Sequence, residues 1–179
     1  MKLCLDTCVI YPTVMREVLL GAARAGFFTP MWSARILEEW RRAALKRGPV
    51  VGVQAEGEIA MVRAAWPRAE VKVEPGLEAR LWLPDPADVH VLAAAVAGSA
   101  DGIVTANAKD FPRNVLAEEG LMRADPDGLL LGFAEADRAR MASVAEAVRA
   151  EAERLSGEPW DMRALLKKAR LPRLGKALA

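Results

Sequence analysis

The sequence predicts an α/β protein of the three-layer α/β/α class, in which helices cover both faces of a central parallel sheet and a helical extension follows at the C-terminus. Two observations support this class. Short apolar segments alternate with helical segments through the first two thirds of the chain, which is typical of a parallel sheet covered on both faces. After Met122 the sequence becomes rich in Ala, Glu and Arg with helical periodicity. We therefore predict a sheet domain at residues 1–125 and a helical extension at residues 126–179, packed on the same domain.

Length and composition limit where the protein is expected to work and which metals it can bind. The chain has 179 residues, of which 53% are hydrophobic, so it can bury a sizeable core. No segment approaches the roughly 20 apolar residues that cross a bilayer, and the N-terminus does not resemble a signal peptide, so we expect a cytoplasmic protein. Two cysteines and one histidine, His90, are too few soft ligands for a zinc site. Cys4 and Cys8 are predicted to be buried, reduced and structural.

Positive charge is concentrated at the C-terminus. Residues 161–179 contain six basic side chains and a single acid, Asp161, which gives this segment a net charge of +5 and leaves −4 for residues 1–160. A basic segment of this kind binds phosphates or an acidic partner in many proteins. A solvated helix face explains it about as well.

The first elements follow the order strand, helix, strand, helix. A short apolar strand at residues 3–5 ends in Asp6, and a helical pattern at residues 14–25 ends before Gly26. The aromatic segment "GFFTPMWS" is predicted to be the second strand. Ser33 is then well placed as the N-cap of the helix "ARILEEWRRAALKR", which Gly48-Pro49 ends.

The following elements complete the predicted sheet. A third helix is expected at about residues 54–65, and "VKV" is a brief strand candidate. The segment "LPDPADVHVLAAAVAGSADGIVTANAKDFP" predicts an Ala-rich helix with Asp85 as N-cap and Pro86 as its first residue. A buried strand at residues 102–105 and a loop come after that helix.

Four acids occupy places where such a sheet gathers functional groups, outside the carboxyl ends of strands and at the first turns of helices. Asp6 follows the first strand, Glu39 lies beside Glu38 in the second helix, Asp88 begins the Ala-rich helix, and Asp110 follows the strand at 102–105. Each alone is explained as a helix cap, a solvated helix face or a loop acid. Together they repel one another unless a cation neutralises them, and hard oxygen ligands suit Mg²⁺ or Mn²⁺.

Four segments resemble the motifs of PIN-domain proteins, a family of metal-dependent ribonucleases that includes the VapC-type toxins of bacterial toxin–antitoxin pairs. They are "LDTCVI", "SARILEEW", "LPDPADVHVLAAA" and "IVTANAKDFP", all within residues 1–115. The resemblance implies a PIN-like nuclease domain at residues 1–125 that cleaves RNA with Mg²⁺ or Mn²⁺ as cofactor. It is also compatible with a cognate antitoxin protein and a homodimer as partners.

The family pattern transfers to particular acids of this chain. The acid that ends the first strand maps to Asp6, and the acid six positions after a Ser maps to Glu39 in preference to Glu38. The Asp before an apolar helix maps to Asp88, with Asp85 as its nearest rival. The resemblance therefore implies Asp6 and Asp88 as the principal metal ligands and Glu39 as a ligand or water-orienting base.

Two positions depart from that pattern. Many PIN proteins have Asn or Ser two residues after the first Asp, where this chain has Cys8. The usual fourth acid, two residues after Thr105, is Asn107 here, which can coordinate through its carbonyl oxygen but brings no charge. We predict that Asp110 supplies the acid as a catalytic residue and metal ligand, with Asn107 as a further ligand.

Substrate contacts are predicted from polar side chains near these acids. Thr7 and Thr105 adjoin the carboxylates and are expected to hydrogen-bond them within the substrate site. Arg41 and Arg42 are expected to hold the RNA backbone, although a solvated helix end explains these arginines equally well.

Two other functions are considered. A phosphoacceptor receiver domain has an acidic pocket, a Thr at a strand end and a nearby Lys, which Thr105 and Lys109 imitate. Such a domain needs paired acids after its first strand, however, and "CLDTCV" offers one. The second alternative is a catalytically weakened PIN fold that binds RNA or protein as a regulatory module, and Asn107 is the one hint of it.

Overall fold

The computed structural model describes residues 1–179 as a parallel sheet flanked by helices. The strands are β1 (Lys2–Leu5), β2 (Thr29–Ser33), β3 (Glu70–Val71), β4 (Gly102–Val104) and β5 (Met122–Ala124). The helices are α1 (Thr7–Ile10), α2 (Thr13–Arg24), α3 (Ala34–Leu45), α4 (Pro49–Ala65), α5 (Leu77–Arg80), α6 (Val89–Ala97), α7 (Arg113–Glu118), α8 (Pro126–Ala136), α9 (Arg138–Ser156), α10 (Met162–Lys168) and α11 (Pro172–Leu178). The strand order is β3-β2-β1-β4-β5 and all strands are parallel, which confirms the predicted three-layer α/β/α class.

Strand β1 is the centre of the sheet and its most buried element. Leu3, Cys4 and Leu5 have no solvent exposure, and their backbone pairs with β2 on one side and β4 on the other, for example Cys4 with Met31 and Leu5 with Val104. The chain runs outward from β1 to β2 and β3 and then returns to place β4 against β1. The topological switch point, where open parallel sheets bind their ligands, therefore lies at the carboxyl ends of β1 and β4.

The two predicted N-caps are present and fix where the site-bearing helices begin. The Ser33 hydroxyl accepts a hydrogen bond from the backbone N–H of Ile36 at 3.2 Å, at the start of α3. The Asp85 carboxylate accepts one from the N–H of Ala87 at 2.9 Å. The second cap opens a single 3₁₀ turn, Pro86–Asp88, which leads into α6.

Several details differ from the sequence-based expectation. Helix α4 begins at Pro49 instead of near residue 54, because proline is well suited to the first position of a helix. The brief strand β3 is Glu70–Val71, not "VKV". The short elements α5, α7 and β5 were not predicted. Cys4 is buried as expected, but the prediction of burial is wrong for Cys8, which is exposed because it lies on α1, beyond the buried strand.

The chain divides into two compact units. The first comprises Met1–Cys8 and Thr29–Arg123 and carries β1 to β4 together with all the acids singled out above. The second comprises Val9–Phe28 and Ala124–Ala179. No helix in either unit combines the length and the apolar character that crossing a membrane requires.

In the second unit, the basic C-terminal segment is amphipathic. Leu165, Leu166 and Leu174 are buried, whereas the six basic side chains are exposed. Asp127 is buried as well, and its two carboxylate oxygens accept hydrogen bonds from the backbone N–H groups of Arg173 and Leu174, each at 2.9 Å. The start of α11 is thus fixed to α8 by one carboxylate.

Candidate metal centre

Asp6 is buried at the carboxyl end of β1 and held by β4. Its backbone N–H donates to the carbonyl oxygen of Val104 at 3.1 Å, and its Oδ2 accepts a hydrogen bond from Oγ1 of Thr105 at 2.7 Å. The residue is 5% exposed. These contacts fix the carboxylate at the topological switch point, where the sequence placed it.

Cys8 adds a second polar contact to the same carboxylate. Its Sγ lies 3.1 Å from Oδ2 of Asp6 and 3.4 Å from Oγ1 of Thr105, and it accepts a hydrogen bond from the N–H of Ala106 at 3.3 Å. The residue as a whole is exposed, but its thiol is partly buried. This burial, and next the negative charge of Asp6, raise the pKa of Cys8 to about 12. The thiol is therefore neutral and able to donate to Asp6.

Three further acids lie close to one another in a group that does not include Asp6, although the charge of Asp6 acts on Asp88. Asp85 caps the 3₁₀ turn before α6, Asp88 is the last residue of that turn, and Asp110 lies in the loop after β4. One carboxylate oxygen from each lies within 4.8 Å of the others. The sequence predicts Asp85 as an N-cap and as the rival of Asp88, and both carboxylates contribute to this group.

Asp88 shows the electrostatic consequence of this convergence. Burial raises its pKa, and the negative charges of Asp6, Asp85, Asp110 and Glu39 raise it further, to about 6. The ionised form is thus unfavourable in the protein alone, and a nearby cation would remove the repulsion. Carboxylate oxygens are the hard donors that divalent cations such as Mg²⁺ prefer, so the donor set fits a divalent metal.

Asn107 and Asp110, the two candidates for the fourth position of the site, lie together. The Nδ2 of Asn107 donates to Oδ2 of Asp110 at 2.8 Å and to Oδ2 of Asp88 at 3.4 Å. Its backbone N–H donates to Oγ1 of Thr105 at 3.0 Å. Asp110 therefore brings an oxygen to the cluster, and Asn107 brings a donor that links two of the acids. Their roles as metal ligands remain predictions.

Glu39 lies outside that group of three and has partners of its own. Its Oε2 accepts a hydrogen bond from Oγ1 of Thr7 at 2.9 Å, and its Oε1 lies 2.7 Å from Nε2 of His90. Burial disfavours the charged form of Glu39, but the hydrogen bonds from His90 and Thr7 outweigh it, and the net effect lowers the pKa of this carboxyl group. Glu39 is thus held ionised at the site.

Glu38, the residue next to Glu39, is paired with arginines. Its carboxylate accepts two hydrogen bonds from Arg41, both at 2.8 Å, and one from Arg42 at 3.0 Å. The hydrogen bond from Arg41 is the main cause that lowers the pKa of Glu38 to about 2. Arg41 also lies 3.6 Å from Glu56. The two arginines are therefore paired with acids of α3 and α4, and their contact with substrate remains a prediction.

His90 is the site residue that sequence reasoning missed. It is the single histidine of the chain and was considered only in counting zinc ligands. It lies in the first turn of α6, two residues after Asp88, and is 2% exposed. One signal was visible in the sequence, since a histidine is the sole polar side chain in "VHVLAAA".

A family model described as a PIN domain matches residues 2–109, which is more than half of the chain. The chain belongs to the PIN-domain family. PIN domains are generally metal-dependent nucleases, and family membership excludes the receiver-domain alternative. The matched range includes Asp6, Glu39, Asp88 and Asn107 and ends one residue before Asp110. Comparison with curated proteins and with solved structures gave no match.

Proposed function

We propose that this PIN domain is an Mg²⁺- or Mn²⁺-dependent endoribonuclease that hydrolyses phosphodiester bonds of RNA. The observation that carries the proposal is the convergence of Asp85, Asp88 and Asp110, together with the raised pKa of Asp88, to which the charge of Asp6 contributes. Acids that repel one another at the switch point of a parallel sheet are typical of a functional site. Membership of a nuclease family gives that site its chemistry.

The proposed roles follow from the contacts of each side chain. Asp6, Asp88 and Asp110 would hold the metal, with Asp85 and Asn107 adjoining them. When bound, a divalent ion supplies an activated water and stabilises the charge that develops on the phosphate. Cys8 and Thr105 orient the carboxylate of Asp6. Glu39, held ionised, accepts the proton of the attacking water or helps to hold the metal.

Substrate binding is assigned to cationic side chains of α3, the helix that also carries Glu39. Arg42 is 70% exposed, so it can contact an RNA phosphate while it remains close to Glu38. Thr7 and Thr105 have their hydroxyl groups bonded to Glu39 and Asp6. Their proposed role is therefore to orient carboxylates, and we place phosphate contact on Arg41 and Arg42.

The test is cleavage of an end-labelled single-stranded RNA, and of the DNA of the same sequence, with Mg²⁺, Mn²⁺ or a chelator. We expect metal-dependent cleavage of the RNA and a loss of at least about 100-fold in rate for Asp6→Asn and Asp88→Asn, since each removes a charged oxygen from a hard cation. Glu151→Gln, at an exposed ion pair of the second unit, is the matched control. Cleavage that persists in chelator, or an active Asp88→Asn, would contradict the proposal.

A second candidate function is favoured by one observation. Asn107 occupies the position of the usual fourth acid and acts as a hydrogen-bond donor to Asp110 and Asp88. In this alternative the chain is a catalytically weakened PIN fold that binds RNA or protein as a regulatory module. It predicts that the wild-type protein binds RNA without cleaving it in either metal, and that Asn107→Asp creates activity.

The biological role is proposed at the level of the family. We place the ribonuclease in the cytoplasm as the toxin of a toxin–antitoxin pair, with a cognate antitoxin protein and a homodimer as partners. Expression of the chain should then arrest growth, and co-expression of a small DNA-binding protein encoded beside it should restore growth. Growth arrest by Asp88→Asn equal to that of the wild type would contradict a toxin role based on cleavage. Sedimentation of the purified chain as a monomer would contradict the dimer.

A further inference from the structure

A buried histidine is joined to one acid of the site. The Nε2 of His90 lies 2.7 Å from Oε1 of Glu39, and the two residues are 51 positions apart in the sequence. The histidine is almost fully buried, whereas the glutamate side chain is 35% exposed. The other ring nitrogen, Nδ1, is buried and has no hydrogen-bond partner.

These contacts determine the tautomer of the ring. An ionised carboxylate only accepts hydrogen bonds, so the proton must be on Nε2 for the 2.7 Å contact to be favourable. A proton on Nδ1 would be a buried donor without an acceptor, which is unfavourable. The arrangement therefore places a proton on Nε2, facing Glu39.

The second oxygen of Glu39 is held from a different element. Oγ1 of Thr7, on α1, donates to Oε2 at 2.9 Å, while His90 on α6 holds Oε1. A glutamate on a helix surface normally samples many rotamers. Here one donor on each oxygen fixes both the position of the carboxylate and its rotation.

We propose that His90 is a positioning residue, which holds the carboxylate of Glu39 in its working orientation through a hydrogen bond from Nε2. The proposal deepens the proposed ribonuclease function, on which it rests for the role of Glu39. His90 acts through Glu39 and contacts neither the metal nor the RNA. Donors behind active-site carboxylates commonly change activity by 10- to 100-fold when they are removed.

The hydrogen bond itself is tested without any activity. Because His90 is the only histidine, labelling with ¹⁵N-histidine gives one pair of ring nitrogen signals, whose shifts identify the tautomer. We expect the Nε2–H form in the wild type and a clear change of both shifts in Glu39→Ala. Glu38→Gln is the matched control, because Glu38 pairs with arginines instead, and it should leave the signals in place. An Nδ1–H tautomer, or signals that do not respond to Glu39→Ala, would overturn the proposal.

The functional consequence is tested with two substitutions at His90. His90→Leu should lower kcat for RNA cleavage about 10- to 100-fold, with KM for RNA changed by less than about threefold. His90→Gln, which offers an amide donor, should recover most of kcat. A kcat that stays at the wild-type level in His90→Leu, or that falls as far in His90→Gln as in His90→Leu, would overturn the proposal. If the wild type cleaves no RNA, the ribonuclease proposal fails, whereas the ring nitrogen signals still decide whether His90 holds Glu39.

Discussion

Removing the charge of Asp88 should stabilise the metal-free protein. In the folded chain this carboxyl group is partly buried and faces the charges of Asp6, Asp85 and Asp110, so its pKa is raised from 3.8 to about 6. Asp88→Asn keeps the shape of the side chain and removes the charge. Without metal, the variant should therefore resist unfolding better than the wild type at neutral pH.

The magnitude follows from the raised pKa. A change from 3.8 to about 6 corresponds to about 3 kcal/mol of unfavourable interaction for the ionised form. Because Asp88 is only partly buried, solvent screening reduces the effect on stability. We expect Asp88→Asn to gain about 1–2 kcal/mol in free energy of unfolding at pH 7 in the presence of a chelator.

The direction of the pH dependence is also fixed. A carboxyl group whose pKa is raised on folding favours the folded state below its unfolded pKa and loses that contribution as pH rises through the folded value. The advantage of Asp88→Asn should thus be absent near pH 4, grow up to about pH 6 and then level off.

Glu39 provides the opposite case, because folding lowers the pKa of its carboxyl group. Its contribution is present above its unfolded pKa and is lost as pH falls, so Glu39→Gln should destabilise the protein at pH 7.

The assay is urea unfolding of the wild type and the two variants at several pH values, with chelator and then with saturating Mn²⁺. Mn²⁺ should stabilise the wild type and should stabilise Asp88→Asn much less, because metal that binds only the folded state raises its stability. An Asp88→Asn protein that is no more stable than the wild type at pH 7, or whose advantage does not shrink toward pH 4, would refute the electrostatic argument.

Three further predictions concern the other contacts. Asp110→Asn should weaken Mn²⁺ binding several-fold by calorimetry and slow RNA cleavage, whereas Asn107→Asp should change Mn²⁺ affinity little. An Asp110→Asn protein with unchanged Mn²⁺ affinity and cleavage would show that Asn107 fills the fourth position. Cys8→Ser should keep Mn²⁺ affinity within about threefold because it keeps the polar contact to the site, and Cys8→Val should lose it. Asp127→Ala should lower the free energy of unfolding by about 1–3 kcal/mol, since two backbone N–H groups lose their acceptor, and an unchanged urea midpoint would contradict this.

Local signals in the sequence were enough for the fold class and for the positions of the candidate acids along the elements. The alternation of strands and helices, and the caps at Ser33 and Asp85, depend on residues close together in the chain. Asp6 and Asp88 were recognisable because an acid at the end of an apolar strand, or before an apolar helix, is conspicuous. The short elements α5, α7 and β5 were missed because a few residues carry too little periodicity to identify.

The tertiary structure decided which of these side chains act together. Thr105 and Asp6 are 99 positions apart and His90 and Glu39 are 51 apart, so no local pattern could pair them. The sequence likewise could not show that Asp85 lies close to Asp110, which belongs to a different loop. The sequence determined the fold class and the acidic character of the candidate site, because both depend on local patterning and residue type. The raised pKa of Asp88 and the fixed carboxylate of Glu39 arise only when the sheet brings distant segments to one edge, because burial and charge repulsion depend on distance in space and not along the chain.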